Sequence, residues 1–319
     1  MSNTNTIESP AVKKKSRLDR QMDKIRRMEE AGLLGGKSNR EVSRTLRKFF
    51  NNRLSVFGLV VFSIILLASI FAPLICKYSP LAIDLNSMLQ APSGVHILGT
   101  DKVGRDIFAR IVYGGRISIL VGFGSALGAA LIGVSLGTYA GYRGGFFDSA
   151  CLRVSEIFMS FPQIILVLLL VTIVGQSLAN LIIIFILTGW GSMYRMARAR
   201  MLSLREEEYV QALNAFGINK FVICFKHMLP NALGPIAVNV TLSTAMFILQ
   251  EAGLSFLGLG VPMQIATWGN ILNLAQDITI LRENWWIWLP VGIVISLFVL
   301  SVNFIGDGFR DSTDPSQQG

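Results

Sequence analysis

Residues 208–231 read Glu208-Tyr209-Val210-Gln211-Ala212-Leu213-Asn214-Ala215-Phe216-Gly217, then Ile218 to Lys226, then His227-Met228-Leu229-Pro230-Asn231. Physically this is a helix, a glycine break, a second short amphipathic helix, and a proline that opens an apolar run. Gly217 suits a turn with positive φ, which costs other residues strain. Pro230 suits the first turn of a helix, where its missing N–H is not needed. Phe221, Val222 and Phe225 fall on one apolar face of the second helix. A plain connector would be short and polar. An apolar helix projecting into water implies a protein partner.

Working outward, the segment sits between two long apolar runs. Such runs fall at 54–76, 117–141, 157–174, 178–197, 231–250 and 285–306. Each is long enough to cross a ~30 Å hydrocarbon core as a helix. The third and fourth are separated only by Gly175-Gln176-Ser177, a tight hairpin at an interface. The composition agrees: hydrophobic residues are 52% of the 319 and charged residues 15%, against about 25% in a soluble domain. Mean hydropathy is +0.53. The fold class is an all-α membrane protein with six transmembrane helices. Glycines recur in the second run, and Gly124/Gly128 and Gly133/Gly137/Gly141 have the small-xxx-small spacing that lets helices approach closely.

Lys/Arg bias orients the spans. With the N-terminus inside, the inner segments and adjoining helix ends carry 23 basic residues and the outer segments carry six. Both termini are therefore expected in the cytoplasm. Trp285, Trp286 and Trp288 lie where an outer aromatic belt belongs. The chain divides into a basic cytoplasmic tail over 1–53, a first span and extracytoplasmic loop over 54–116, a core over 117–306 and a cytoplasmic tail over 307–319. Residues 16–31 of the first tail have helical apolar spacing through Leu18, Met22, Ile25 and Met28, predicting an amphipathic helix. No aromatic residue precedes Phe49, so the basic tail has nothing to stack on bases and no nucleic-acid partner is expected.

Several chemistries are excluded. None of the six runs carries an Asp, Glu, Lys or Arg near its middle, whereas ion-coupled carriers need intramembrane ionisable groups. Gly32-Leu33-Leu34-Gly35-Gly36-Lys37-Ser38 imitates a phosphate-binding loop, but Ala31 occupies the place of the required first glycine. No Walker B strand follows. Three separated cysteines and two histidines, His96 and His227, supply neither a disulfide scaffold nor a metal cluster. No cofactor is expected, and the chain is not expected to be an enzyme.

The 208–231 segment resembles the cytoplasmic EAA loop of ABC-importer permeases, with pattern E-A-A-x3-G-x9-I-x-L-P. Ala212, Gly217, Leu229 and Pro230 match in register. Gln211 stands for the Glu, Leu213 for the second Ala and His227 for the Ile. Histidine at that last place is usual in the oligopeptide/dipeptide/nickel branch. Further segments are similar to the same branch and its C-type subunit. They are His96-Ile97-Leu98-Gly99-Thr100-Asp101 with Gly104-Arg105-Asp106, Gly141-Tyr142 with Gly144-Gly145 and Asp148, Glu251 through Gly260, Trp268-Gly269, and Gly306-Asp307-Gly308 with Arg310-Asp311.

The resemblance implies a type I ABC-importer permease fold and a set of partners. These are a second homologous permease subunit in a heterodimer, two ATP-binding subunits and an extracytoplasmic substrate-binding protein, all in a lipid bilayer. It also implies that Gln211, Ala212, Gly217, Phe221, Phe225, His227, Leu229 and Pro230 couple the permease to an ATPase. The expected cargo is di- or oligopeptide, with nickel or a metal chelate as the alternative in the same branch. A secondary carrier or channel and a membrane enzyme are the readings from other classes. The first needs intramembrane charges and the second a catalytic constellation.

Overall fold

The computed structural model describes residues 46–313. The expected tail helix at 16–31 and the 32–38 glycine motif lie outside them. The described residues are helical, and their only bridge pairing joins Thr100 and Asp106. The main helices are α1 (Arg53–Ile70), α2 (Ile107–Arg143), α3 (Gly145–Met159), α4 (Gln163–Val174), α5 (Leu178–Arg205), α6 (Glu208–Ala215), α7 (Lys220–Phe256), α8 (Trp268–Asn273) and α9 (Trp285–Thr313). α1, α2, α5, α7 and α9 are each long and apolar enough to cross a membrane.

The third expected span, 157–174, is not one straight helix. α3 and α4 meet at an 85° bend. Ser160-Phe161-Pro162 separates them, because Pro162 cannot donate a backbone hydrogen bond and disfavours α geometry in the residue before it. α4 alone has 12 residues, roughly 18 Å, too short for a bilayer. The pair nevertheless completes a crossing. α3 starts beside the end of α5, where the Asp148 carboxylate takes Arg198 at 2.5 and 2.6 Å and accepts from Tyr194 Oη at 2.9 Å. α4 ends beside the end of α7, where Gln176 Nε2 donates to Gly258 O at 2.8 Å. The described residues therefore make six crossings.

The contacts also fix which ends lie together. Arg116 on α2 donates to the carbonyls of Ser69 and Ile70 at 2.6 and 2.5 Å, so the end of α1 meets the start of α2. Trp286 on α9 reaches Thr100 O at 3.4 Å, and Trp268 on α8 reaches Ile111 O at 3.0 Å. At the opposite end Asn52 donates to Asp311 at 3.3 Å and Phe49 packs on Phe309. Tyr142, at the end of α2, donates to Asn214 of α6. The two ends of the described chain thus share one face of the bundle with α6, and the 77–106 loop lies on the other.

The bundle is held most closely by α2 against α5. A Cβ on Gly133, Gly137 or Gly141 would lie 2.4, 2.5 or 2.8 Å from the backbone oxygens of Trp190, Tyr194 and Arg198. Side chains cannot fit where two backbones touch, so these glycines are steric necessities. Gly128 instead faces the side chain of Ile186, not its backbone. Gly124, its expected partner, meets only Leu120 of its own helix at 3.9 Å and takes no part. The stretch Gly133-Val134-Ser135-Leu136-Gly137 also has the G-x-S-x-G spacing of a hydrolase nucleophile elbow. It lies in mid-helix with no strand before it, so its glycines serve packing.

Gly137→Ala should therefore lower stability by about 1–3 kcal/mol through overpacking, whereas Gly124→Ala should not. Thermal unfolding of the purified chain in detergent checks the pair, and equal midpoints would refute this account of the α2–α5 contact.

Candidate functional site

The site is the elbow formed by α6, Gly217 and the start of α7. Its mount is apolar. Val210 and Leu213 of α6, Ile218 of the turn, and Ile223, Cys224 and Met228 of α7 are buried together with Tyr142 and Met201. Spacing of three places Val210 and Leu213 on one helix face, and that face turns inward. Burying such side chains contributes roughly 1.5–3 kcal/mol each. Two polar ties fix the register: Tyr142 Oη to Asn214, and Asn231 Nδ2 to Tyr209 Oη at 3.1 Å. Burial pushes the Tyr209 phenol above its usual range, so it remains a neutral partner.

Gly217 turns the chain with φ +69°, as its sequence position predicts, and a Cβ there would meet nothing within 4 Å. Its N–H closes on Asn214 O at 2.9 Å, and the Ile218 N–H closes on Leu213 O at 3.2 Å. Asn219 then caps the next helix by accepting from the Phe221 N–H at 2.9 Å. The outward surface carries Gln211, Asn214, Phe216 and Phe221, with Phe221 59% exposed. Phe221 and Phe225 pack ring on ring at 4.5 Å. Phe225, His227, Ala212 and Leu229 are partly buried, and Pro230 is exposed.

The eight expected residues are thus brought to one elbow. Gln211 has a role of its own: its Nε2 donates to Glu206 O at 3.0 Å, closing the end of α5. A carboxylate has no proton to donate there.

One expectation changes. The segment after Gly217 is not a separate helix ahead of a span that starts at Pro230. Lys220 to Phe256 is a single helix of 37 residues. Ile223–Met228 takes the wider π geometry. Pro230 cannot donate to Lys226 O and would crowd it, and a π turn relieves that conflict without breaking the helix.

A second group was missed because span five was ended at residue 250. The helix continues, so Glu251 lies inside it, fully buried. Its carboxylate accepts from Ser255 at 2.9 Å and Ser118 at 3.3 Å, while Ser118 accepts from the Trp268 N–H at 3.1 Å. These bonds join α7, α2 and α8. Gly260 and Gly269 crowd Ser255 on the same side, so the Glu251-to-Gly260 motif was the available signal.

Six helical crossings with a partly exposed apolar elbow at one end define a polytopic membrane protein. Residues 133–318 match the family described as binding-protein-dependent transport system inner membrane component, and residues 42–92 match the N-terminal TM domain of oligopeptide transport permease C. The chain belongs to this permease family and is a membrane subunit of the ABC-transporter class. It is 40% identical to the dipeptide transport system permease protein DppC of Alkalihalophilus pseudofirmus, covering 88% of this chain and 90% of that one. It is 38% identical to the oligopeptide transport system permease protein OppC of Bacillus subtilis, covering 84% and 87%. Among solved structures, an inward-facing MetNI methionine ABC transporter matches in fold with TM-score 0.53 and 22% identity, over 65% of this chain and 98% of that one.

Because Gly217 has open space and a positive φ, only its backbone should resist change. Gly217→Val should cost on the order of 1–3 kcal/mol and Gly217→Asn clearly less, since Asn tolerates the left-handed region. Unfolding midpoints of the two variants in detergent check this, and equal losses would show that the turn is not the constraint.

Proposed function

We propose that this chain is the transmembrane subunit of an ATP-driven importer that moves di- and oligopeptides across the cytoplasmic membrane. The elbow around Gly217 docks into a separate ATP-binding subunit and carries its movement to the spans. A second homologous permease completes the path, and an extracytoplasmic binding protein delivers the peptide to the face bearing the 77–106 loop. Both termini lie on the elbow side, in the cytoplasm. The observation that carries this reading is the mount: a buried apolar base holds Phe216 and Phe221 outward, where a solvated loop would hide them. Dipeptide and oligopeptide permeases at 38–40% identity support a peptide cargo over nickel.

Phe221→Asp puts a charge into an apolar contact, and losing one such anchor typically costs about 2 kcal/mol or more of binding. Co-purified ATPase subunits, substrate-stimulated ATP hydrolysis and peptide uptake should fall together at matched membrane abundance. Normal assembly with full transport would sink the docking role. The isolated chain should bind no ATP, and stoichiometric nucleotide binding would contradict the division of labour. In a Cys-free background, a cysteine at Ser93 should react with an impermeant reagent from outside and one at Asn219 should not. The reverse pattern would invert the topology.

A further inference from the structure

α7 carries a second feature, running from its middle away from the elbow. Asn239, Ser243 and Gln250 lie four and seven residues apart, which places them within roughly 40° of one another around the helix. All three are partly exposed, and they flank Met246, which is 55% exposed. Gln250 Nε2 donates to Gln163 Oε1 at 3.1 Å, bringing in the first residue of α4 just past the bend. Gln250 Oε1 is itself buried and has no hydrogen-bond partner among the described residues, so an acceptor stands unused beneath the partly exposed side chain. Asn239 accepts only a long 3.5 Å contact from Ser243.

A stripe of amides with unspent donors and acceptors is costly against hydrocarbon, where nothing can pair with them. Such a face suits water or a polar ligand better than lipid. It is also neutral. The adjacent acid, Glu251, is turned about 100° away around the helix and is fully buried, accepting from the hydroxyls of Ser118 and Ser255. The rungs Asn239 and Ser243 rise ~6 Å apart along the helix, close to the two-residue repeat of roughly 6.6–7 Å in an extended peptide. Amide and hydroxyl groups both donate and accept, as a peptide backbone does.

We propose that Asn239, Ser243 and Gln250, together with Gln163, form a neutral ladder that lines the translocation path and hydrogen-bonds the backbone of a passing extended peptide without regard to side-chain charge. This rests on the peptide-importer reading and adds the residues of the path and its lack of charge selectivity.

The test uses the whole transporter, with its second permease, ATPase subunits and binding protein, in proteoliposomes. Asn239→Cys, Ser243→Cys and Gln250→Cys are placed in a chain lacking Cys76, Cys151 and Cys224. A charged, water-borne thiol reagent should modify all three. Reaction only with a lipid-soluble reagent would mean that the stripe faces lipid, and protection from both would mean a permanent protein interface. Either result overturns the proposal. Gln250→Glu should lower the uptake ratio of Ala-Glu to Ala-Lys by about tenfold, because like charges would oppose each other in the path. An unchanged ratio with peptide uptake intact removes the ladder and leaves the importer. A wild-type transporter that carries no peptide removes the function on which the ladder rests. Thiol accessibility still decides the matter if Gln250→Glu fails to assemble.

Discussion

The bundle depends on the contact between the backbones of α2 and α5 at Gly133, Gly137 and Gly141. Lipid tails are as apolar as the helix surfaces, so no hydrophobic gain pulls two spans together. Close packing must do so, and only glycine permits it here. Much else is referenced to this pair. Asp148 clamps α3 to Arg198 of α5, and Tyr142 and Met201 at the ends of the two helices receive the elbow. A shift between α2 and α5 would move the broken crossing and the elbow together.

At the loop end of the bundle, buried charges are paired. Asp101 is fully buried and takes Arg105 at 2.7 Å and Arg110 at 2.8 Å. His96 sits 2.9 Å from Asp106, whose other oxygen caps α2 at the Ala109 N–H. Gly104, with φ +76°, lets this loop lie against Asp84. The motif from His96 to Asp106 is thus a clasp fixing the loop to the start of α2. Breaking a buried pair strands a charge, at a typical cost of 3–5 kcal/mol, so the clasp has little latitude. Glu251 does similar work without a cation, joining three helices through hydroxyls.

Much of this was legible in the sequence. Apolar length located the spans, and glycine spacing marked the α2–α5 seam, because both patterns follow from local geometry. Gly217 was readable because a helix needs a positive-φ residue to turn there. The bend at Ser160-Phe161-Pro162 was read through, since apolar composition continues across it and only Pro162 marks the break. Pro230 was read as a helix start, the commoner use of such a proline. The π turn that precedes it carries Ile223, Cys224 and Met228 in the buried cluster, an arrangement that local sequence does not display. Glu251 falls outside the 231–250 run because 249–262 is too short and too glycine-rich to read as a span by itself, and the hydroxyls that donate to it come from residues 118 and 255. The elbow's coupling role rests on family resemblance and on its exposed rings, and remains a proposal.

The unbroken helix from Lys220 to Phe256 has an evolutionary consequence. Each residue added to an α-helix turns everything beyond it by about 100°. An insertion or deletion between Met228 and Asn239 would swing the far half of α7 out of phase with the elbow, carrying Glu251 away from Ser118. In descendants of this chain the number of residues from Lys220 to Ser255 is thus held fixed by rotation alone. Loss or gain of a single codon there should be far rarer than substitution.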